Sequence, residues 1–402
     1  MSDPAVGRSV IIVSMSDPLA LSAGGITPVV IAHLRNADSF PPAMVGLQIE
    51  GKGPLGRWQK EQVQGKPFQF FPLLRVHSRY ESKKRFPISP LFVLKLFRYR
   101  KPISELCGSL HVWRVELALP FVFGRRDYPI VVAISGSSRF LEMCIHHPYY
   151  KWPLVRWLYL QMEKYVLKRV DAVTTVSEDA YHDYSRRLPF LKGRLSMIPP
   201  PVDTDLFRPR EKVVLRERLG LPTGQRLLVY AGRFVPEKRV DALIESLHRV
   251  RSSVPDVALV LVGDGPEKGR LEKIMPSDGS VVLMGGLGRE QVAEVLSACD
   301  VAVLFSMFEG MSIFVLESLA SGLPVVSTQV GDIPKVVVNG LTGFIVNPPQ
   351  VESFAAAIIR AIEISTSVAE NCRRVAMNYS PAAITRRVEE LHIMLREKYK
   401  RV

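Results

Sequence analysis

Arg233 and Lys238 stand five residues apart, just past the apolar run Leu227–Ala231 and inside the loop Gly232-Arg233-Phe234-Val235-Pro236-Glu237-Lys238. Two cations at the carboxyl edge of a strand can clamp a diphosphate, and they stabilise it most as leaving-group charge grows. On an open surface the same pair is only solvated charge. A second constellation reads Phe308-Glu309-Gly310-Met311-Ser312-Ile313-Phe314-Val315-Leu316-Glu317. Glu309 falls in a loop after the apolar run Val301–Leu304, and Glu317 falls eight residues on, inside the helix that follows. A carboxylate accepting two hydrogen bonds suits a ribose diol. Between them, N–H groups at the helix start, near Met311, Ser312 and Ile313, suit phosphate or sugar hydroxyls.

Two glycine segments invite a phosphate reading. Ser22-Ala23-Gly24-Gly25 follows the first apolar run and opens a helix, where backbone N–H groups approach either a phosphate or nothing but a tight turn. Gly263-Asp264-Gly265-Pro266 follows Ala258–Val262, but Lys268 occupies the third position of a dinucleotide fingerprint, so the segment reads as a turn lining the ligand edge. Ser135 is no nucleophile on this reading, because Ile134 precedes it and Gly136-Ser137-Ser138 follows, so the G-x-S-x-G elbow is missing. Cys107, Cys144, Cys299 and Cys372 lie far apart without a CxxC, which argues against a zinc site or a disulfide framework and suits a reducing cytoplasm.

The elements that must position these residues alternate strand and helix. Strands are expected at Val10–Ser14, Met44–Ile49, Phe68–Phe71, Leu110–Trp113, Ile130–Ile134 and Ala172–Val176, with a helix over Ile26–Ala37. Three prolines, Pro199-Pro200-Pro201, interrupt the pattern. It restarts with strands at Leu227–Ala231, Ala258–Val262, Val281–Met284, Val301–Leu304, Val325–Ser327 and Gly343–Val346. Helices fit Asp241–Arg251, Arg289–Ala298, Ile313–Ser321 and Val351–Ile364. A last helix, about Ala382–Tyr399, aligns Ile384, Val388, Leu391 and Leu395 on one face. The fold class expected is α/β: two doubly wound domains, 1–200 and 201–380, facing across a cleft that takes the ligand.

At 402 residues, with 47% apolar and 23% charged residues, the chain suits two such domains. No stretch has the roughly 18 apolar residues of a spanning helix, and Asp17-Pro18 cuts the N-terminal apolar run short of a signal peptide. The net charge of +14 is uneven: residues 1–200 hold 28 Lys+Arg against 15 Asp+Glu, a net of +13. That excess points to an anionic partner. No nucleic-acid-binding motif accompanies it, so nucleic acid is not expected. Between Ser82 and Ser104 seven cations and no acid interleave with Phe86, Ile88, Leu91, Phe92, Leu94, Leu96, Phe97 and Tyr99. This reads either as a helix lying on an anionic membrane or as a core helix with a basic edge. A second basic and aromatic stretch runs from Tyr149 to Trp157.

Together these motifs resemble the retaining, GT-B-type glycosyltransferases of family 4 (glycosyl transferases group 1). The resemblance is closest over about 225–350, through Val229–Lys238, Val262–Pro266, Gly285-Gly286-Leu287, the E-x7-E segment, Ser318–Val326 and Gly340–Phe344. In the first half Gly24-Gly25, Glu163, Asp171-Ala172-Val173 and Ser177 also match. The resemblance implies sugar transfer from a nucleotide donor with retention at the anomeric carbon. It implies no required metal or cofactor, and a final helix (about 381–402) crossing back to an acceptor-binding first domain. It casts Arg233, Lys238 and Glu309 as catalytic, with Glu309 facing the donor sugar. Gly24, Gly25, Gly265, Leu287, Met311, Ser312, Ile313 and Glu317 become donor contacts, Glu317 on the ribose. His111, Ser135 and Gly136 lie toward the acceptor. Ser135-Gly136 replaces the family's His-Gly, His111-Val112-Trp113 its His-x-His, and Met311-Ser312 a common Phe-Gly. A UDP-sugar is favoured over a GDP-sugar by family frequency alone, and a lipid-linked sugar or surface polysaccharide fits as acceptor. The enzyme would be cytoplasmic, peripheral on the inner face of the membrane. A nucleotide-sugar 2-epimerase shares the architecture but needs first-domain acid/base groups not found here. A non-catalytic sugar-nucleotide binder would not need the retained Arg233, Lys238, Glu309 and Glu317.

Overall fold

The computed structural model describes residues 9–19, 27–49, 53–76, 88–124, 126–134 and 152–400. The chain divides into two compact units, Met1–Pro199 with Pro381–Val402, and Pro200–Ser380.

In the first unit the strands are β1 (Ser9–Val13), β2 (Pro42–Ile49), β3 (Gln59–Val63), β4 (Lys66–Val76), β5 (Cys107–Trp113), β6 (Ile130–Ile134), β7 (Ala172–Thr175) and β8 (Leu195–Met197). They form one sheet in the order β3-β4-β2-β1-β5-β6-β7-β8. Every pairing is parallel except β3 with β4. β5 is buried along its whole length, as a strand covered on both faces must be. One face packs on the helices Ile88–Glu105 and Pro153–Leu167 through Phe92, Leu96, Val166 and Leu167. On the other face, the helix Thr27–Asn36 contributes Val29, Val30 and Leu34. The hairpin β3-β4 was not expected, because Gln59-Lys60-Glu61-Gln62-Val63 reads as polar; it is an edge strand held by its turn at Gln64-Gly65.

The last helix, Pro381–Lys400, buries Ile384, Val388 and Leu395 as its spacing implied. It also buries a polar stripe. Thr385 Oγ1 stands 3.1 Å from His33 Nδ1, and Glu389 accepts the Asp38 and Ser39 N–H groups at 3.1 and 2.9 Å. His392 meets Ser109 and His111, and Arg396 donates to the Gly108 and Ser9 carbonyls at 3.0 and 3.1 Å. The helix is thus bonded to the sheet as well as packed on it.

In the second unit the strands are β9 (Arg226–Ala231), β10 (Val257–Val262), β11 (Val281–Gly285), β12 (Val301–Leu304), β13 (Val325–Thr328) and β14 (Gly343–Val346). The sheet order is β11-β10-β9-β12-β13-β14, all parallel. The order reverses between β9 and β12, which is where an open α/β sheet takes a ligand. Asp300 holds the start of this sheet: it accepts from Arg216, Lys212 and the Leu227 N–H at 2.7, 2.9 and 2.8 Å.

Candidate active site

Arg233, Lys238, Glu309 and Glu317 all sit on loops and a helix that leave the carboxyl ends of β9 and β12. Past β9 the chain is pinned by Phe234, which is buried. Its N–H donates to Asp264 O at 2.9 Å and its carbonyl accepts from the Glu267 N–H at 3.1 Å. Gly265 makes this possible. A Cβ there would stand 2.3 Å from Phe234 O, so backbone meets backbone where any side chain would collide. The sequence marked Gly265 as a donor contact; its observed neighbours are the β9 loop.

The β12 loop is held from two sides. Met307 N–H and Ser306 Oγ donate to Glu237 O at 2.8 and 3.2 Å, which fixes it to the turn Pro236–Lys238. Asp332 N–H donates to Gly310 O at 3.1 Å, and Gly331 lies so close that a Cβ would be 2.3 Å from Glu309 O. Between these clamps Lys238 Nζ donates to Glu309 Oε1 at 2.5 Å. Both side chains are mostly buried. Arg233, on the same loop as Lys238, is exposed, and its carbonyl accepts from the Tyr230 hydroxyl at 3.1 Å. Burial, followed by the Glu309 carboxylate, raises the Tyr230 hydroxyl above the ordinary phenol range, so it stays protonated and donates.

Glu317 lies on the helix Ile313–Ala320, whose N-cap residue Ser312 makes no side-chain capping bond. Burial pushes its carboxyl up to about 7, opposed by Arg289, whose Nη2 is 3.7 Å from Oε1, and reinforced by Asp203. Arg289 was not singled out from sequence. It opens the helix Arg289–Ala298, and its guanidinium lies over the Phe207 ring at 5.6 Å. Only its position straight after Gly286-Leu287-Gly288, at the edge of β11, could have marked it. Leu287 is half-buried on the core, Met311 and Ser312 are buried, and Ile313 is exposed.

The first unit's residues fall differently. His111 is 2% exposed, set between His33, Trp113 and His392. Its Nδ1 lies 3.0 Å from His392 Nε2, whose Nδ1 lies 2.5 Å from Ser109 Oγ. Burial lowers the pKa of His33 to about 4 and of His392 to about 3, and that of His111 well below the ordinary value. The contacts observed at His111 are therefore those of a seam with the final helix, not of an exposed acceptor-facing group. Glu163 accepts from Tyr184 and Arg187 at 2.7 and 3.3 Å, and Asp171 accepts from Arg126 and the Ile130 N–H at 2.6 and 2.7 Å. Ser177 caps the helix Glu178–Arg187. These three signature residues hold the fold. Gly24, Gly25, Ser135 and Gly136 lie outside the described residues. Among the described residues no group of three or more His, Cys, Asp or Glu could hold a metal ion.

Residues 212–378 match the family Glycosyl transferases group 1, and residues 64–206 match Glycosyltransferase Family 4. Residues 212–378 thus form a group 1 glycosyltransferase domain and residues 64–206 a family 4 domain, on two mostly parallel sheets of GT-B architecture. It is 30% identical over 242 residues, 56% of either chain, to the MMP alpha-(1->4)-mannosyltransferase of Mycolicibacterium hassiacum. It is 33% identical over 224 residues to the GDP-mannose-dependent alpha-(1-6)-phosphatidylinositol monomannoside mannosyltransferase of Mycolicibacterium smegmatis, covering 51% of this chain and 57% of that one. The chain thus spans little more than half the length of these relatives. Its fold is that of the sucrose-phosphate synthase of Thermosynechococcus elongatus, with a TM-score of 0.72 at 20% identity over 96% of this chain and 99% of that one. Anabaena HepE, solved with UDP, is similar at a TM-score of 0.68 and 16% identity, over 96% of this chain and 100% of that one.

Proposed function

We propose that the chain transfers a sugar from a nucleoside-diphosphate donor to an acceptor hydroxyl with retention at the anomeric carbon. The observation that carries this reading is the Lys238–Glu309 pair at the carboxyl edge where the second sheet reverses order, with Arg233 exposed on the same loop as Lys238. Arg233 and Lys238 draw electrons toward the diphosphate as the bond from C1 to the phosphate oxygen breaks. The sugar becomes oxocarbenium-like, the acceptor oxygen bonds to C1 from the leaving-group face, and the departing phosphate oxygen takes the acceptor proton. The products are a glycoside and a nucleoside diphosphate. Glu309 faces the sugar and Glu317 takes the ribose diol. Met311, Ser312 and Ile313 offer N–H groups to the phosphates or sugar hydroxyls. The unit Pro200–Ser380 holds the donor in this scheme, and the other unit takes the acceptor.

The donor is a uridine or guanosine diphosphate sugar. A relative's name specifies GDP-mannose, and HepE, of the same fold, was solved with UDP. An acceptor carried on an anionic lipid surface suits the +13 excess of residues 1–200, with the protein working on the cytoplasmic side. Among the described residues no helix is long and apolar enough to cross a membrane. The test is incubation with radiolabelled UDP- and GDP-sugars and a lipid extract. Label moving into the lipid fraction, with release of nucleoside diphosphate and retained anomeric configuration, supports the reading. A 2-epimerised sugar, or donor binding without turnover, would replace it.

A further inference from the structure

The helix Pro153–Leu167 begins outside the core. None of residues 152–161 is buried, although that stretch reads Trp-Pro-Leu-Val-Arg-Trp-Leu-Tyr-Leu-Gln, and packing starts only at Glu163, Val166 and Leu167. Trp152 is 69% exposed, Leu154 67% and Trp157 56%. The neighbouring helix Ile88–Glu105 adds Leu94 at 65%, while its Phe92, Leu96 and Ile103 are buried. The rings of Phe97, Phe123 and Tyr165 bridge the two helices, with centroids 5.9 and 5.7 Å apart. Ile88–Glu105 lies between β4 and β5 in the chain, and Pro153–Leu167 between β6 and β7.

A helix apolar on all sides is ordinarily buried in a core or in lipid, and an exposed apolar patch of this kind marks an interaction surface. Charge selects the occupant. Residues 88–104 and 152–162 contain no acid, and Arg98, Arg100, Lys101 and Arg156 are exposed. A second copy would set these cations against their own kind. Tryptophan flanked by leucine and arginine suits the headgroup boundary of an anionic bilayer. We propose that the first two turns of Pro153–Leu167, with the outer face of Ile88–Glu105, insert into an anionic membrane surface. The proposal deepens the lipid-borne acceptor reading and rests on it. Residues 82–87 of the basic stretch lie outside the described residues.

Cosedimentation with vesicles of equal phosphatidylglycerol and phosphatidylcholine tests it, against vesicles of phosphatidylcholine alone. Two of the four tryptophans, Trp152 and Trp157, lie in the patch, so a blue shift in emission reports insertion. The wild-type chain should bind the anionic vesicles, with binding weakened by salt. Leu154→Ser with Trp157→Ser should weaken it by about tenfold or more at unchanged Tm, since both side chains are exposed. Arg156→Gln should reduce the salt dependence. Equal binding by the double variant, no binding by the wild-type chain, or concentration-dependent dimerisation abolished by the same double variant would overturn the proposal. Nucleoside diphosphate release with a water-soluble acceptor, measured on both proteins, should be the same. Its loss in both would remove the transfer reading and leave the vesicle result standing.

Discussion

Lys238 Nζ donates to Glu309 Oε1 at 2.5 Å, although the two residues lie 71 positions apart and leave different strands. The contact exists because the β12 loop is bonded to Glu237 O at Met307 and Ser306. Glu309 thereby aims the lysine, and Lys238 orients the carboxylate. Glu309→Gln keeps the shape and removes the charge. It is expected to lower kcat by about 10- to 100-fold, with a smaller change in donor KM. A variant with wild-type kcat would show that the pair only holds the loop.

Glu317 titrates near the working pH. Its pKa is raised to about 7 by burial, so the acceptor-only carboxylate is lost as pH falls through 7. Donor KM should therefore fall as pH rises from 6 to 8. Arg289 opposes the shift, so Arg289→Gln should move the midpoint to higher pH. Glu317→Ala should mainly raise donor KM and abolish this pH dependence. A KM profile flat from pH 6 to 8 would contradict the assignment.

Gly265→Ala should be far worse than its size suggests, because its Cβ would stand 2.3 Å from Phe234 O and must displace the loop carrying Arg233 and Lys238. Loss of about 2 kcal/mol or more of stability is expected in a denaturant titration, together with reduced kcat. Gly269→Ala, with open space around it, serves as the control and should be near neutral.

The final helix should loosen in acid. His33 and His392 have folded pKa values of about 4 and about 3, below their unfolded value of 6.5. A depressed pKa contributes stability that is present above pH 6.5 and is lost as pH falls toward the folded values. Tm should drop by about 5 °C or more between pH 6.5 and 4.5. His392→Gln should reduce that slope, whatever it does to Tm at pH 7.5. An unchanged slope would assign the acid sensitivity to other groups.

Sequence and structure agree where burial alone decides. Val257–Val262 is a buried run on both faces and could only be an interior strand, and Ile384, Val388 and Leu395 repeat at helical spacing. They part where a polar residue is buried for a tertiary reason. Thr385, Glu389 and His392 are buried by partners more than 280 residues away, which no local pattern records. His111 sits on a strand in either reading, but its histidine partner comes from the chain's other end. Arg289 belongs to the site through space, across 28 residues to Glu317, and its helix looks ordinary in sequence. The edge strand Gln59–Val63 owes its existence to Lys66–Val76 beside it rather than to its own polar residues.

The measurement that tests the central claim most directly is the single-turnover rate of nucleoside diphosphate release at saturating donor, for the wild-type chain and for Arg233→Ala and Lys238→Ala. Each cation is taken to stabilise the developing diphosphate charge by about 3 kcal/mol, so each variant should be on the order of 100-fold slower, with donor Kd changed far less. Wild-type rates in both folded variants would contradict the claim that these two residues drive the departure of the nucleotide.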